Sequence, residues 1–190
     1  MQIAGVAAEQ LFADFLNSEW YDGRGRLEDR LLDPAWRGCF LREWDLSDPG
    51  EPSPATLRRL LHLRELLRAI VEDAHAGRSP TTSRLEAHAS DLAATPMRLE
   101  ITGEPPTAAW GVRSPSWAHV EAEVIRSCLG FLAGPARGRL RRCQNEGCLW
   151  AFVDASRNGS RRWCDPEICG NVAKVRAYRQ RQKAGDSRVT

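Results

Sequence analysis

The spacing of apolar residues predicts a mostly helical N-terminal part. Its clearest stripe lies between Ser53 and Ala76, where leucine, isoleucine and valine recur every three or four residues, as on the buried face of a helix. Ser53-Pro54 before the stripe is a typical helix start, and Gly77 after it is a typical end. The same spacing predicts further helices over 7–20, 82–94 and 116–133, and one or two short helices over 26–45 that break at Asp33-Pro34.

Two stretches follow the two-residue period of strands instead. Residues 97–101 alternate apolar with polar side chains, and we expect 107–112 to pair with them as a hairpin. Farther along, 149–153 and 161–163 are expected to pair around an Asn158-Gly159 turn. The predicted fold is a mainly α N-terminal domain with a small β-hairpin, followed by a small α+β module.

The last predicted helix begins at Asp165-Pro166, a second cap-and-proline start, and ends near Lys183 before Gly185. Three apolar residues at helical spacing are expected to pack on the second hairpin: Ile168, Val172 and Val175.

Four of the six cysteines form two pairs in this C-terminal part, with four residues between the members of each pair: Cys143, Cys148, Cys164 and Cys169. Two such pairs separated by a short hairpin are typical of a tetrahedral zinc site, and a structural zinc uses all four positions. Cys169 falls near the first turn of the last predicted helix, where the helix dipole and the nearby arginines favour a thiolate. We therefore expect one structural Zn²⁺.

Two disulfides are the alternative for these four cysteines, and they require an oxidising compartment. The N-terminal stretch MQIAGVAAEQLFADF has neither the basic segment nor the long apolar segment of a signal peptide. No run approaches the roughly 18 apolar residues of a membrane span. We therefore expect a cytoplasmic protein without membrane contact, and metal-bound cysteines. Cys39 and Cys128 lie in apolar helical patterns and are expected to be buried thiols.

Charge divides the chain at Gly134-Pro135, which we take as the domain boundary. Residues 1–134 hold 14 Lys and Arg against 20 Asp and Glu, a net charge of −6, whereas residues 135–190 hold 13 against 5, a net charge of +8. A basic module of this kind favours a polyanion such as DNA as its partner. The expected nucleic-acid contacts are Lys174, Arg176, Arg179, Arg181, Lys183 and Arg161.

The run RRWCDPEICGNVAKVRAYRQR, residues 161–181, resembles the CGNR zinc finger, a bacterial module of the treble-clef type: knuckle, hairpin, then helix. In that family the module follows an α-rich domain called ABATE, and the pair is regarded as a stress-induced transcription regulator. The segment DFLNSEW, residues 14–20, resembles the opening of an ABATE domain, with Asn17 at the family's asparagine. The arginine in the finger's name is Val172 here, so this chain lacks any contact that the arginine makes.

Asn17 follows an apolar run, and a buried amide there must find hydrogen bonds. It is expected either to cap a helix or bond within the core, or to anchor a small molecule in a pocket of the N-terminal domain. The chain has no GxSxG, HExxH, P-loop or GxGxxG motif, and we expect no enzyme. The alternative to a nucleic-acid-binding regulator is a structural or protein-interaction finger whose basic helix docks on an acidic protein surface, the N-terminal domain included.

Overall fold

The computed structural model describes residues 10–21, 26–78, 82–90, 97–102, 107–112, 114–145 and 147–186, with backbone alone for 97–102, 107–112 and 183–186. The helices are α1 Leu11–Leu16, α2 Pro34–Glu43, α3 Pro54–His75, α4 Ser83–Ser90, α5 Trp117–Ala133 and α6 Cys169–Asp186. The strands are β1 Glu19–Tyr21, β2 Leu27–Asp29, β3 Met97–Thr102, β4 Thr107–Val112, β5 Leu140–Arg142 and β6 Ala151–Val153. They pair antiparallel as β1 with β2, β3 with β4, and β5 with β6. Within the described ranges, no helix is long and apolar enough to cross a bilayer.

The core of the N-terminal domain forms where α1, α3 and α5 pack together. Phe12 of α1 lies against Phe131 of α5, with ring centroids 5.3 Å apart. The backbone N–H of Phe12 donates to Ser127 Oγ at 3.2 Å, which ties the two helices together. From α3, Leu60 and Leu67 are completely buried. The leucine-rich stripe predicted from the sequence is therefore the face that α3 turns to the core.

Side-chain caps begin three helices. The hydroxyls of Ser53 and Ser116 and the carboxylate of Asp33 each accept a backbone N–H from the first turn of the helix that follows. Such a cap stabilises a helix by about 1 kcal/mol. These signals confirm the predicted helices α3 and α5, and the hairpin of β3 and β4 is confirmed by its pairing.

Buried ion pairs connect the helices of this domain to its strands. Glu121 of α5 is completely buried and accepts from Arg59 at 2.6 Å and from His88 Nε2 at 2.8 Å. Arg64 of α3, also buried, bonds both carboxylate oxygens of Asp29 at 2.7 Å. Because a buried charge is costly without a partner, these pairs fix the positions of α4 and β2 relative to the core.

Three expectations for the N-terminal domain are wrong. Residues 27–29 form strand β2, and α2 begins only at Pro34 after a 3-10 turn, so helix does not cover the whole of 26–45. Cys39 is exposed and its sulfur accepts from Arg42 at 3.2 Å, whereas Cys128 is buried as expected. The helix predicted over 7–20 ends at Leu16, because Glu19–Tyr21 forms strand β1. The helix predicted over 82–94 is α4, Ser83–Ser90, and residues 7–9 and 91–94 lie outside the described residues.

The C-terminal module also departs from the predicted pairing. The partner of β6 is β5, residues 140–142, and 161–163 form no strand. A turn at 166–168 precedes α6, which begins at Cys169 and continues through Gly185 to Asp186. The three apolar residues expected to pack on the hairpin are exposed instead, by 64% for Ile168, 38% for Val172 and 48% for Val175.

Candidate metal centre and basic helix

Four sulfur atoms converge in the C-terminal module. The Sγ atoms of Cys143, Cys148, Cys164 and Cys169 all lie within 4.8 Å of one another. Cys148 Sγ is 3.7 Å from Cys164 Sγ, which is 3.6 Å from Cys169 Sγ. A regular tetrahedron with Zn–S distances of about 2.3 Å has S···S edges of roughly 3.8 Å. The donor set therefore fits one structural zinc, as predicted, and these separations exclude disulfide bonds of about 2.05 Å.

Backbone hydrogen bonds position the four ligands. Cys143 follows β5, and its N–H donates to Trp150 O at 2.9 Å, which closes the loop that carries Cys148. The N–H of Gln144 donates to Arg162 O at 2.9 Å and brings the second cysteine pair alongside the first. Cys169 is the first residue of α6, so the metal fixes where that helix starts and how it is rotated.

The crowded sulfurs favour a bound cation. Hydrogen bonds from Cys148 and Cys164 lower the pKa of Cys143 to about 2. The bond to the Cys143 thiolate raises the pKa of Cys148 to about 12, and the pKa of Cys164 rises for the same reason. Without a cation the cluster therefore shares protons, because adjacent thiolates repel one another. A divalent ion at the centre permits all four to ionise.

Asp154 and Arg161 brace the loop between the cysteine pairs. The Asp154 carboxylate accepts from the N–H and hydroxyl of Ser156 and from the N–H of Arg161, and the bonds from Ser156 contribute most to a pKa below its usual range. The Arg161 guanidinium donates to the carbonyls of Trp163 and Cys164 and lies over the Phe152 ring. Arg161 is thus occupied inside the module, and we leave it out of the proposed nucleic-acid contacts.

Four basic side chains of α6 are exposed to solvent. Lys174, Arg179 and Arg181 are exposed. Arg176 is also exposed, although one guanidinium nitrogen donates to Asn145 Oδ1 at 3.0 Å. Within the described part of the chain, no hydrogen bond or ion pair joins an α6 side chain to the N-terminal domain. The side chain of Lys183 lies outside the described residues.

Asn17 joins the two domains. Its Nδ2 donates to Ala151 O at 2.9 Å, and its Oδ1 accepts from Ala151 N at 2.9 Å. The carboxamide thus presents to the free edge of β6 the same donor and acceptor as a neighbouring strand. A second link is the ion pair of Arg142 with Glu72 of α3 at 2.9 Å. The hydrogen-bonding role that we considered for Asn17 is therefore filled by an interdomain contact.

A cavity of about 270 Å³ opens beside Asn17 at this junction. Its walls come from α1 and the residue after it, the 3-10 turn before α2, α2 itself and the module: Asp14, Asn17, Arg30, Trp36, Cys39, Phe40, Glu43 and Trp150. Partial removal from water and the neighbouring Glu43 carboxylate raise the pKa of Asp14. The indole nitrogen of Trp150 is buried without a hydrogen-bond partner. No local sequence signal groups Asp14 and Glu43 with Trp150, because Trp150 reaches this cavity only where the two domains meet.

Two protein families match the chain. The family described as "putative stress-induced transcription regulator", ABATE, matches residues 9–135, and the CGNR zinc finger matches residues 139–182. No curated protein matches the chain in sequence. The two matches confirm the predicted resemblances in their predicted order, and all four cysteines lie within the second.

Proposed function

The chain belongs to the ABATE family, and on that premise we propose that it is a transcription regulator whose zinc-built module contacts nucleic acid through α6. The observation that carries this proposal is the exposed set of cations on a helix whose first residue is a metal ligand: Lys174, Arg176, Arg179 and Arg181. The metal holds these cations in a fixed arrangement, and the N-terminal domain does not neutralise them through hydrogen bonds or ion pairs among the described residues. Each cation that neutralises a phosphate releases a counterion, which favours binding.

The competing function is docking of this basic helix on an acidic protein surface. The acidic N-terminal domain of the same chain is the nearest such surface, but it binds the module through Asn17 and through Glu72. Those contacts use β6 and Arg142 of β5 and leave α6 exposed. This arrangement favours an external polyanion over internal docking.

The test is the salt dependence of duplex DNA binding. Fluorescence anisotropy with a random-sequence 20-bp duplex compares the zinc-loaded full chain with a triple variant, Lys174→Ala, Arg176→Ala and Arg181→Ala. The logarithmic salt slope is expected to fall by about 0.9 for each lost phosphate contact, or roughly 2–3 in all. Because the affinity loss comes from charge, it is expected for every sequence alike.

A matched control removes three exposed arginines from the N-terminal domain: Arg58→Ala, Arg84→Ala and Arg126→Ala. It changes net charge as much as the triple variant and is expected to retain most of the slope. Equal slopes for wild type and the α6 variant would reject the proposed function. Retention of the module on an acidic protein, with no DNA binding, would support the protein-docking alternative.

The second part of the proposal is that the junction cavity holds a small organic cation as effector. Two carboxylates, Asp14 and Glu43, and three aromatic rings line a space of about 270 Å³, and the guanidinium of Arg30, which also lines it, is stacked on Trp20. Carboxylates and aromatic faces are the groups that attract organic ammonium ions. Since Trp150 of the module forms one wall, such a ligand would contact both domains.

Choline and its neutral isostere 3,3-dimethylbutan-1-ol provide a direct comparison for this cavity. Tryptophan fluorescence is expected to report choline binding that Asp14→Asn weakens, with little response to the neutral molecule. The matched control is Asp48→Asn, an exposed carboxylate outside the cavity lining. Equal responses to both probes, or no effect of Asp14→Asn, would reject a cation site.

A further inference from the structure

The outward side of α6 is apolar at its centre. With about 100° between successive residues, Val172, Val175 and Arg179 fall on one line along the helix, which we call the outer ridge. Val172 is 38% exposed and Val175 is 48% exposed, and Ile168 just before the helix is 64% exposed. Contact with phosphates alone does not require an apolar ridge, so these side chains indicate a partner that also offers apolar groups.

Exposed cations lie on the outer ridge and beside it. Arg179 belongs to the ridge, and Arg176 lies about 70° from it around the helix, whereas Lys174 and Arg181 lie on the far side of the helix. The ridge thus combines two apolar side chains with positive charge from Arg179 and Arg176.

The rotation of α6 follows from the metal site. Cys169 turns its sulfur toward the other ligands, and Ala173 and Ala177 follow on the same side of the helix, where they are half-buried. Small residues on this inner side let the helix lie close to its own module. Val172 lies at the edge of this inner side, about 60° from Cys169, and Val175 lies about 120° from Cys169; both side chains are exposed.

We propose that the outer ridge enters the major groove of duplex DNA, where Val172 and Val175 contact thymine methyl groups and Arg179 contacts a guanine edge. This inference rests on the proposed function and adds the groove, the strandedness and the residues that read sequence. The major groove is about 12 Å wide and admits a helix of about 10–12 Å diameter. The deep, narrow major groove of duplex RNA does not. Thymine methyl is the apolar group that the major groove offers to a valine, and guanine O6 and N7 match an arginine fork.

The experiment begins with selection of 20-bp duplexes from a random library by the zinc-loaded full chain. The selected duplex is then remade with deoxyuridine in place of thymidine, which removes only the methyl groups. Loss of a buried methyl contact weakens binding by roughly fourfold. Wild type is therefore expected to lose about that factor for each contacted thymine.

Substitution on the ridge is expected to abolish the methyl effect. The double variant Val172→Ala, Val175→Ala should bind the thymidine and deoxyuridine duplexes equally, with the salt slope of wild type. Zinc content and helical circular dichroism verify that this variant is folded. Leu129→Ala is the matched control, because Leu129 is an exposed apolar residue of α5 (42%) and should leave the methyl effect unchanged.

The outcomes separate this inference from the proposed function. Salt-dependent binding without enrichment of any sequence, a wild type indifferent to the methyl groups, or equal competition by duplex RNA would overturn the major-groove assignment and leave the proposed function standing. Absence of binding to every nucleic acid would overturn both.

Discussion

Replacing Asn17 with alanine removes the carboxamide that joins the domains. Its two hydrogen bonds to Ala151, both 2.9 Å long, connect positions 134 residues apart in the chain. Ala151 is 3% exposed, so water has little access to its backbone groups once the carboxamide is gone. The perturbation therefore leaves one donor and one acceptor of β6 without their partners.

The expected cost follows from those two groups. A typical hydrogen bond contributes about 0.5–1.5 kcal/mol net, and a buried group left without a partner costs about 1–3 kcal/mol. Asn17 itself is half-buried, so some water replaces it. We expect Asn17→Ala to lower the free energy of unfolding by about 2–4 kcal/mol.

Urea unfolding followed by circular dichroism and tryptophan fluorescence measures this change. Asn158→Ala is the matched control, because Asn158 is an exposed amide in the module and should change stability by less than about 0.5 kcal/mol. If Asn17→Ala unfolds at the same urea concentration as wild type, the interdomain pairing has no energetic weight and our reasoning fails.

Four further predictions follow from buried and metal-bound groups. Chelation of zinc should unfold residues 143–183 and leave the N-terminal core folded, because zinc contributes roughly 10–16 kcal/mol to such modules; far-UV circular dichroism should show loss of the α6 signal only. In the zinc-loaded protein, Cys39 should react with a thiol reagent long before Cys128, since burial raises the pKa of Cys128 to about 12. Because the unfolded thiol ionises near about pH 8.5, stability should fall as pH rises from about 9 toward 12, and Cys128→Ala should remove this part of the dependence. Arg64→Lys should cost about 2 kcal/mol in urea unfolding, because lysine cannot bond both oxygens of Asp29.

Each of these four predictions has a contradicting result. An unchanged circular dichroism spectrum after complete chelation would show that α6 stays folded without the metal. Equal reaction rates for the exposed and buried thiols would contradict the described core. If the stability of Cys128→Ala falls with rising pH as that of wild type does, other groups cause the decline. If Arg64→Lys is as stable in urea as wild type, a single positive charge beside Asp29 is sufficient and the two-pronged guanidinium is not needed.

The zinc site was predictable because its information is local. Thiolate chemistry and tetrahedral geometry restrict where four cysteines at this spacing can go, whatever surrounds them. Helix α3 was predictable for a similar reason, since Ser53, Pro54 and the leucine stripe all favour the same helix. In both cases several independent signals fall within a short stretch of chain.

The pairing of β6 was not predictable from its three residues. Arg141 and Arg142 of β5 look like a charged linker, and their strand conformation depends on the backbone edge that β6 offers. Asn17 then covers the other edge from 134 residues away. Nothing in the local sequence of either strand encodes that contact.

The orientation of α6 was predictable in principle, and our expectation erred by following hydrophobicity. Valines at helical spacing normally face a core. Here Cys169 faces the other three sulfur atoms, Ala173 is half-buried, and Val172 and Val175 are exposed. The buried side of α6 therefore passes through its cysteine and its small residues, which the pattern of large apolar residues does not indicate.

The most direct test of the account measures zinc in the purified full chain by atomic emission spectroscopy, beside the variant Cys148→Ala, Cys164→Ala. We predict about one zinc per chain for wild type, and for the variant neither zinc nor salt-dependent DNA binding. A wild type that holds no zinc, or a zinc-free variant that binds DNA as wild type does, would contradict the claim that bound zinc holds the basic helix α6 in position.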